Sequence, residues 1–295
     1  MKVEVEPGRY IVAVSGGVDS AALLDILSRQ PGLELIVAHF DHGIRLNSAL
    51  DRKFVKNMAG KYQLKFEFEE GDLGRTSSEA EARQARYDFL NRVRDQYQAD
   101  AIITAHHQDD LIETVIINIL RGTGRRGLSS LGSTDKLKRP LLNIPKKDLI
   151  RYAQTHNLTW REDPSNQNLQ YKRNYVRYKI VPLLTTADRK KLLDILRQSA
   201  HLNNSLDGQI NSLIKPNISY NNLDRQWFAS LPHKVAKEVL LYWLRQQGIT
   251  DLDRRQVESL TINLKTHRQL KRFSINNQTF IVLTKQYLAL QRIDR

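Results

Sequence analysis

The stretch that most constrains this chain is Ser15-Gly16-Gly17-Val18-Asp19-Ser20, a short glycine-rich turn between an apolar strand and an amphipathic helix. Upstream, Tyr10, Ile11, Val12 and Val14 make Arg9 to Val14 read as a buried strand. Downstream, Ala21, Leu23, Leu24, Ile26 and Leu27 recur at helical spacing. Two glycines let the backbone close on a ligand with no Cβ in the way. The first amides of the helix, with its dipole, form an anion site suited to phosphate. Ser15 and Ser20 add hydroxyl donors, and Asp19 can hold a magnesium ion against those phosphates.

The Gly-Lys-[Ser/Thr] ending of a Walker A loop is absent, and so is Gly-x-Gly-x-x-Gly. The loop resembles the pyrophosphate loop of the ATP pyrophosphatases. That resemblance implies cleavage of ATP between its α and β phosphates and activation of an oxygen by adenylation. The bland alternative is an ordinary strand–turn–helix, but the strand and helix that the motif demands both flank it.

A chain of 295 residues is long enough for two domains. No run of about 18 apolar residues occurs, so no membrane span is expected. The N-terminus, Met1 to Gly8, is acidic and mixed, unlike a signal peptide, and a cytoplasmic location follows by default. With no cysteine there is no disulfide, no cysteine zinc site, no iron–sulfur cluster and no cysteine nucleophile. The net charge is +14, and Arg121 to Ile180 carries 14 Lys/Arg against 4 Asp/Glu. Such a concentrated patch suits a polyanion, nucleic acid above all; the alternative is a solvated basic surface.

A second strand, Leu35 to Phe40, runs into Asp41-His42-Gly43-Ile44-Arg45 at the carboxyl edge of the expected sheet, where ligands sit in open α/β folds. Asn47 or Ser48 is placed to cap a helix from Ala49 to Tyr62. A third strand, Leu64 to Glu69, alternates, and Thr76-Ser77-Ser78-Glu79 reads as capping chemistry for a helix over Glu79 to Gln96. On that helix Arg83 and Arg86 are i,i+3, with Tyr87 one turn from Arg83. They read either as a pair of cations for phosphate or a nucleobase, or as surface partners of Glu79 and Glu81.

Ala101 to Thr104 reads as a fourth strand, followed by Ala105-His106-His107-Gln108-Asp109-Asp110-Leu111-Ile112-Glu113-Thr114. Asp110 and Glu113 are i,i+3 and share one face, while Ile112, Val115, Ile116 and Ile119 cover the apolar side. The His-Glu-x-x-His spacing is missing. Two acids and His106 suit a cationic substrate or magnesium equally well. Helix capping explains one of Asp109, Asp110 and Glu113, but not all three.

Arg121-Gly122-Thr123-Gly124-Arg125-Arg126 is too glycine-rich for an ordered helix and reads as a flexible basic loop that could close on a substrate. A helix is expected from Lys146 to His156 after Pro145. Arg173 and Arg177 are i,i+4; such a pair is usually a solvated face, but its place in the basic stretch favours RNA. From about Ala187 helical periods cover Lys190–Ile214, Leu231–Gln247 and Asp253–Leu264. Leu270–Asn276 and Gln278–Leu290 alternate like a small strand pair. The expected domains are a catalytic one over 1–185 and a mainly helical one over 186–295.

Taken together, Ser15–Ser20, Asp41–Arg45, Ala82-Arg83 with Arg86-Tyr87, His106–Thr114, Arg139-Pro140-Leu141-Leu142, Asp163–Asn166, Arg173-Asn174 and Arg177 resemble the tRNA(Ile)-lysidine synthetase family over about residues 9–182. The resemblance implies an α/β fold: a Rossmann-like parallel sheet with a PP-loop, followed by a smaller, mainly helical C-terminal domain that binds tRNA. It implies ATP and Mg2+ as cofactors, L-lysine and the isoleucine tRNA with a CAU anticodon as substrates, and adenylation of C2–O of the wobble cytidine before lysine attacks. By the same resemblance, Ser15, Gly16, Gly17, Val18, Asp19, Ser20 and His42 bind ATP, with Asp19 on the magnesium. His106, Asp110, Glu113 and Arg86 lie at the reacting centre with Asp19, Asp110 and Glu113 hold the lysine, and Arg83, Arg121, Arg125, Arg126, Arg173 and Arg177 contact RNA. A homodimer is in keeping with it. Longer members carry a further C-terminal domain, so the chain is expected to be a short-type member or a piece of a longer one.

Other readings fit less well. A tRNA thiolase of the same superfamily needs cysteines, and there are none. NAD and GMP synthetases share the loop but do not need the basic stretch. A non-catalytic RNA-binding module would need that stretch but not Asp19, Asp110 and Glu113.

Overall fold

The computed structural model describes residues 3–41, 48–71, 79–122, 124–129, 131–161, 172–219, 221–249, 252–267, 270–276 and 278–293. Backbone contacts divide the chain into two units: Met1–Leu120 with Ser130–Leu192, and Arg121–Ser129 with Leu193–Arg295.

The first unit is built on β1 (Gly8–Ala13), β2 (Leu33–Asp41), β3 (Lys65–Glu70), β4 (Ala101–Thr104) and β5 (Leu137–Lys138). All pairings are parallel, in the order β3-β2-β1-β4-β5. Helices α1 (Val18–Ser28), α2 (Ser48–Lys61), α3 (Glu79–Gln96), α4 (Gln108–Leu120) and α5 (Lys146–Thr155) make the crossovers and the cover. Strand residues alternate between two cores. Tyr10, Val12, Leu35, Val37 and Ile103 pack with Leu23, Leu24 and Leu27 of α1 and Leu149 of α5. Ile11, Ile36, Ala38 and Ile102 pack with Phe89, Leu90 and Val93 of α3 on the other face. Burial on both faces explains why β1, β2 and β4 read as nearly unbroken apolar runs.

A buried carboxylate ties three of these helices together. Asp25 of α1 pairs with Arg29 and accepts hydrogen bonds from Tyr62 and Tyr152, each at 2.7 Å. Burial would raise the Asp25 pKa, but Arg29 and the two phenols outweigh it and hold the carboxyl below its usual range.

After α6 (Lys172–Tyr175) come a π-helical turn, Val176–Ile180, and a 3-10 turn, Val181–Leu183. The division between the units falls within α7 (Thr186–Ile214). The second unit adds β6 (Ile218–Ser219), β7 (Asn222–Asp224), α8 (Arg225–Ser230), α9 (His233–Gln246), α10 (Arg254–Thr266), β8 (Lys271–Ser274), β9 (Thr279–Leu283) and β10 (Tyr287–Arg292). Its antiparallel sheet runs β6-β7-β10-β9-β8 and shares a core with the helices through Phe228, Leu240, Trp243, Leu264, Ile281 and Leu288. Asp253 and Gln256 form a capping box that starts α10.

The fold class is the expected one, with several local differences. Gln278–Leu290 holds two strands with a turn between them, and β6 and β7 complete a five-stranded sheet where a strand pair was expected. Arg125–Ser129 forms a 3-10 turn within the stretch expected to be too glycine-rich for helix. Ile119, expected on the apolar side of its helix, is 54% exposed, whereas Ile112 and Val115 are buried. Ser48 is the first residue of α2; Asn47 and the capping run Thr76 to Ser78 lie outside the described residues. Among the described residues no helix is long and apolar enough to cross a membrane.

Candidate active site

The strand order sets the location. β1 and β4 are neighbours, so the loop leaving β1 and the start of α4 leave adjacent carboxyl ends at the point where the order reverses. Open parallel sheets bind their ligands at such a switch point.

The loop is braced from within. Gly16 has φ +90°, a left-handed conformation that a side chain would strain. Gly17 is the N-cap of α1 and offers no side-chain cap, leaving the first helical amides for a ligand. Ser20 is buried, and its hydroxyl donates to the Gly17 carbonyl at 2.9 Å, with Ser15 Oγ 3.3 Å away. Ser20 thus supports the loop from beneath, while Ser15 is exposed. Val18 opens α1, and the Gly16 carbonyl accepts the Arg161 amide at 2.9 Å.

Asp19 links the loop to α4. Its Oδ2 lies 3.5 Å from His107 Nε2 and 3.6 Å from Lys146 Nζ. Its Oδ1 is buried and has no hydrogen-bond partner among the described residues. His107 Nε2 is also 3.4 Å from Asp110 Oδ2. Burial pulls the His107 pKa down, but the contact with Asp19 and the Asp110 charge outweigh it, and the net shift is upward. His107 and Asp110 further form a capping arrangement at the start of α4. The His107 amide donates to Asp110 Oδ2 at 3.0 Å and the Asp110 amide to His107 Nδ1 at 3.4 Å.

Asp110 and Glu113 share a face, as their spacing requires, and both are buried. Arg173 and Arg177, from α6 and the π turn, close on that face. Arg173 Nη2 reaches Asp110 Oδ1 at 3.0 Å and its Nε reaches Glu113 Oε2 at 3.1 Å. Arg177 Nε reaches Glu113 Oε1 at 2.7 Å, its Nη2 reaches Glu113 Oε2 at 2.9 Å, and Nη2 lies 3.3 Å from Asp110 Oδ1. All four carboxylate oxygens therefore have partners. Burial pushes the Asp110 pKa up, but the charges of His107 and Arg173 outweigh it and hold the carboxyl below its usual range. The two arginines, read from sequence as a solvated face or RNA contacts, are partners of the carboxylates expected to hold a cation.

A cationic group lies beside them. The guanidinium carbons of Arg83 and Arg86 lie 4.9 and 5.4 Å from the centre of the Tyr87 ring. Buried Arg139 reaches the Tyr87 hydroxyl. Arg139 also donates to the Gly132 carbonyl, and its Nε has no hydrogen-bond partner among the described residues. His106 sits within this field, its Nδ1 2.8 Å from Thr104 Oγ1. Burial, with Arg139, Arg86 and Arg83, holds its pKa down at about 3 against the pull of Asp110.

The remaining expected residues fall elsewhere. Asp109 accepts the Lys146 amide at 2.9 Å and pairs with Arg189 at 2.5 Å, so it anchors the starts of α5 and α7. In the second unit, Arg125 pairs with Glu238 at 2.7 Å and Asp207 at 3.1 Å, and Arg126 with Asp207 at 2.5 Å. Asn203 accepts from Arg125 at 2.8 Å. The basic loop is thus held by acids of its own unit at these two positions, while Arg121 is exposed. His42, Asp163 and Asn166 lie outside the described residues. Sequence reasoning missed His107, Lys146 and the pairing of Arg139 with Tyr87. The His-x-x-Asp spacing of a helix cap was the available signal for His107.

A family model described as the PP-loop domain matches residues 2–184. The tRNA(Ile)-lysidine synthase of Nitrosomonas europaea is 34% identical over 267 residues, covering 84% of this chain and 57% of its own length. That of Thermotoga maritima is 38% identical over 192 residues, covering 61% of this chain and 46% of the relative. The chain thus spans about half the length of the curated relatives it matches. Among solved structures, the U34-tRNA thiolase NcsA from Methanococcus maripaludis, with its [4Fe-4S] cluster, aligns at a TM-score of 0.56 and 20% identity. The alignment covers 67% of this chain and 73% of the thiolase, a likeness of fold. With the loop at the switch point and the family match running from residue 2 to 184, the chain belongs to the PP-loop family.

Proposed function

We propose that the chain carries out tRNA(Ile)-lysidine synthesis: the C2 oxygen of the wobble cytidine in an isoleucine tRNA with a CAU anticodon is replaced by the ε-nitrogen of L-lysine, at the expense of ATP. The observation that carries this reading is the join made by His107 between Asp19 of the phosphate loop and Asp110 of the acidic face. A nucleotide site and a site for an ammonium group then share one centre. The printed names of the relatives support the same reading.

In this mechanism the loop amides of Gly17 to Asp19 cradle the β and γ phosphates. The unpartnered, buried Asp19 Oδ1 suits a hard cation, so Asp19 would hold magnesium there together with phosphate oxygens. Held by Asp19, such an ion would supply positive charge against that of a departing pyrophosphate. Cytidine O2 attacks the α-phosphorus, and pyrophosphate leaves. The neutral ε-amine of lysine then attacks C2, the C2–O2 bond breaks, and AMP departs with O2.

Asp110 and Glu113 hold and orient the lysine ammonium, which takes over positions now filled by Arg173 and Arg177, and one of the two carboxylates accepts its proton before attack. His106 is uncharged at neutral pH and offers a neutral imidazole for hydrogen bonding beside the reacting base. Arg86, Arg83 and Arg139 supply positive charge for phosphate. Arg121 and the exposed lysines of the basic stretch contribute long-range attraction for RNA.

The test is incubation of the protein with ATP–magnesium, labelled lysine and an isoleucine tRNA transcript bearing a CAU anticodon. ATP-dependent label in the tRNA, absent with a transcript altered at the wobble base, is the expected result. ATP consumption without label in RNA would overturn the reading in favour of another ATP pyrophosphatase. A sulfur-transfer chemistry like that of the aligned thiolase is disfavoured, since this chain has no cysteine to carry a cluster or a persulfide.

A further inference from the structure

The segment 172–180 has two faces, and the proposed function uses only one. Inward, Arg173 and Arg177 grip Asp110 and Glu113, while Asn174 and Val176 are buried. Outward, Tyr175 is 51% exposed and Tyr178 is 44% exposed. Lys172 and Lys179 are exposed at either end of the same short segment. Two large aromatic side chains three residues apart are an unusual surface to leave in water beside a buried ionic cluster. Tyr178 lies in the π-helical turn Val176–Ile180 and Tyr175 immediately precedes it; such turns occur mostly singly and frequently at functional sites.

We infer that Tyr175 and Tyr178, flanked by Lys172 and Lys179, form a stacking platform for unpaired nucleobases of the substrate RNA next to the reacting base. The inference rests on the proposed function and adds where the loop nucleotides are held. Single-stranded RNA is read by stacking splayed bases on aromatic side chains while cations track the backbone. A base withdrawn from its stack leaves neighbours that need a new stacking partner. The charge of the region fits: Arg121 to Ile180, which includes this segment, carries 14 Lys/Arg against 4 Asp/Glu. Arg173 and Arg177 of the same short segment contact Asp110 and Glu113, so the two tyrosines sit next to the acidic face of α4. An apolar protein partner would not call for lysines at both ends.

The experiment measures binding of an anticodon stem-loop RNA, carrying a fluorescent adenine analogue beside the wobble position, without ATP or lysine. Wild type is compared with Tyr175→Ala, Tyr178→Ala, Tyr175→Phe and Tyr178→Phe. Each alanine variant is expected to weaken binding about 5- to 100-fold, and each phenylalanine variant to stay within about twofold of wild type. Wild-type protein should quench or shift the fluorophore and the alanine variants should not. A fully paired duplex of the same length should bind all five proteins alike. Alanine variants that bind the loop as wild type does would overturn the platform, as would phenylalanine variants that fail equally. If wild type binds the loop through these tyrosines but transfers no lysine, the platform stands and the proposed function fails. If lysine transfer proceeds while the alanine variants bind normally, only the platform fails.

Discussion

Arg177 grips Glu113 through two parallel contacts, Nε to Oε1 at 2.7 Å and Nη2 to Oε2 at 2.9 Å, and Glu113 is only 1% exposed. This pair joins the basic segment to the acidic face of α4 across 64 residues of sequence. Without Arg177, buried Glu113 keeps Arg173 at Oε2 and loses its partner at Oε1, whereas removing both Arg177 and Glu113 leaves no carboxylate oxygen short of a partner there. Arg177→Met is expected to cost about 1.5–3 kcal/mol in urea unfolding, the range for a hydrogen bond to a charged group, and Arg177→Met with Glu113→Leu to regain part of it. A double variant as unstable as the single would show that the pair is not the source of the loss.

Asp110 is expected to separate chemistry from RNA binding. Asp110→Ala should abolish lysine transfer while tRNA affinity, measured by filter binding, stays within about twofold, since the phosphate contacts that dominate affinity lie elsewhere. Retained turnover would remove this carboxylate from the centre.

The two adjacent histidines should titrate in opposite directions. His106, held at about 3, should remain neutral in NMR titration down to acidic pH and give no ionisation near neutrality. His107 is raised, so its folded pKa exceeds the unfolded one. Its stabilising interaction with Asp19 and Asp110 is complete below the unfolded value of about 6.5 and is lost as pH rises through the folded value. His107→Gln should therefore cost more stability at pH 6 than at pH 9. Equal losses at both would contradict the assignment.

The Asp25 cluster predicts the reverse dependence. The folded pKa of Asp25 is lowered, so its contribution is present above the unfolded value of about 3.9 and lost as pH falls through the folded one. Asp25→Asn should destabilise the first unit by about 1.5–3 kcal/mol at neutral pH, the range for hydrogen bonds to a charged group, and by less in acid. Tyr152, pushed up to about 12 by burial and by Asp25, should show no phenolate absorbance at pH 10 in the folded protein.

Much of the first unit was legible because its signals are local. The phosphate loop announces itself by Gly16, Gly17 and Asp19, and α3 and β4 fall on their expected bounds because apolar periodicity and flanking polar residues agree. A parallel sheet follows once four apolar runs alternate with helices, whereas β5 and the full strand order come from the structure alone. What escaped was set by partners distant in the chain. Nothing near Arg173 says that Glu113 will accept a hydrogen bond from it, 60 residues away. Nothing near Arg125 points to Glu238. His106 and His107 are indistinguishable as neighbours until the start of α4 is fixed, because one turn of helix decides which ring faces Asp19. β6 and β7, two and three residues long, are too short to show alternation, and their pairing is decided by β10.

The most direct measurement is nucleoside mass analysis of an isoleucine tRNA transcript after incubation with the protein, ATP–magnesium and lysine, with AMP counted in the same reaction. The account predicts a wobble cytidine heavier by one lysine less one water, and one AMP released for each cytidine changed. An unmodified cytidine alongside AMP release would mean that the ATP centre serves a different acceptor, and the account of Asp110 and Glu113 as a lysine site would be wrong.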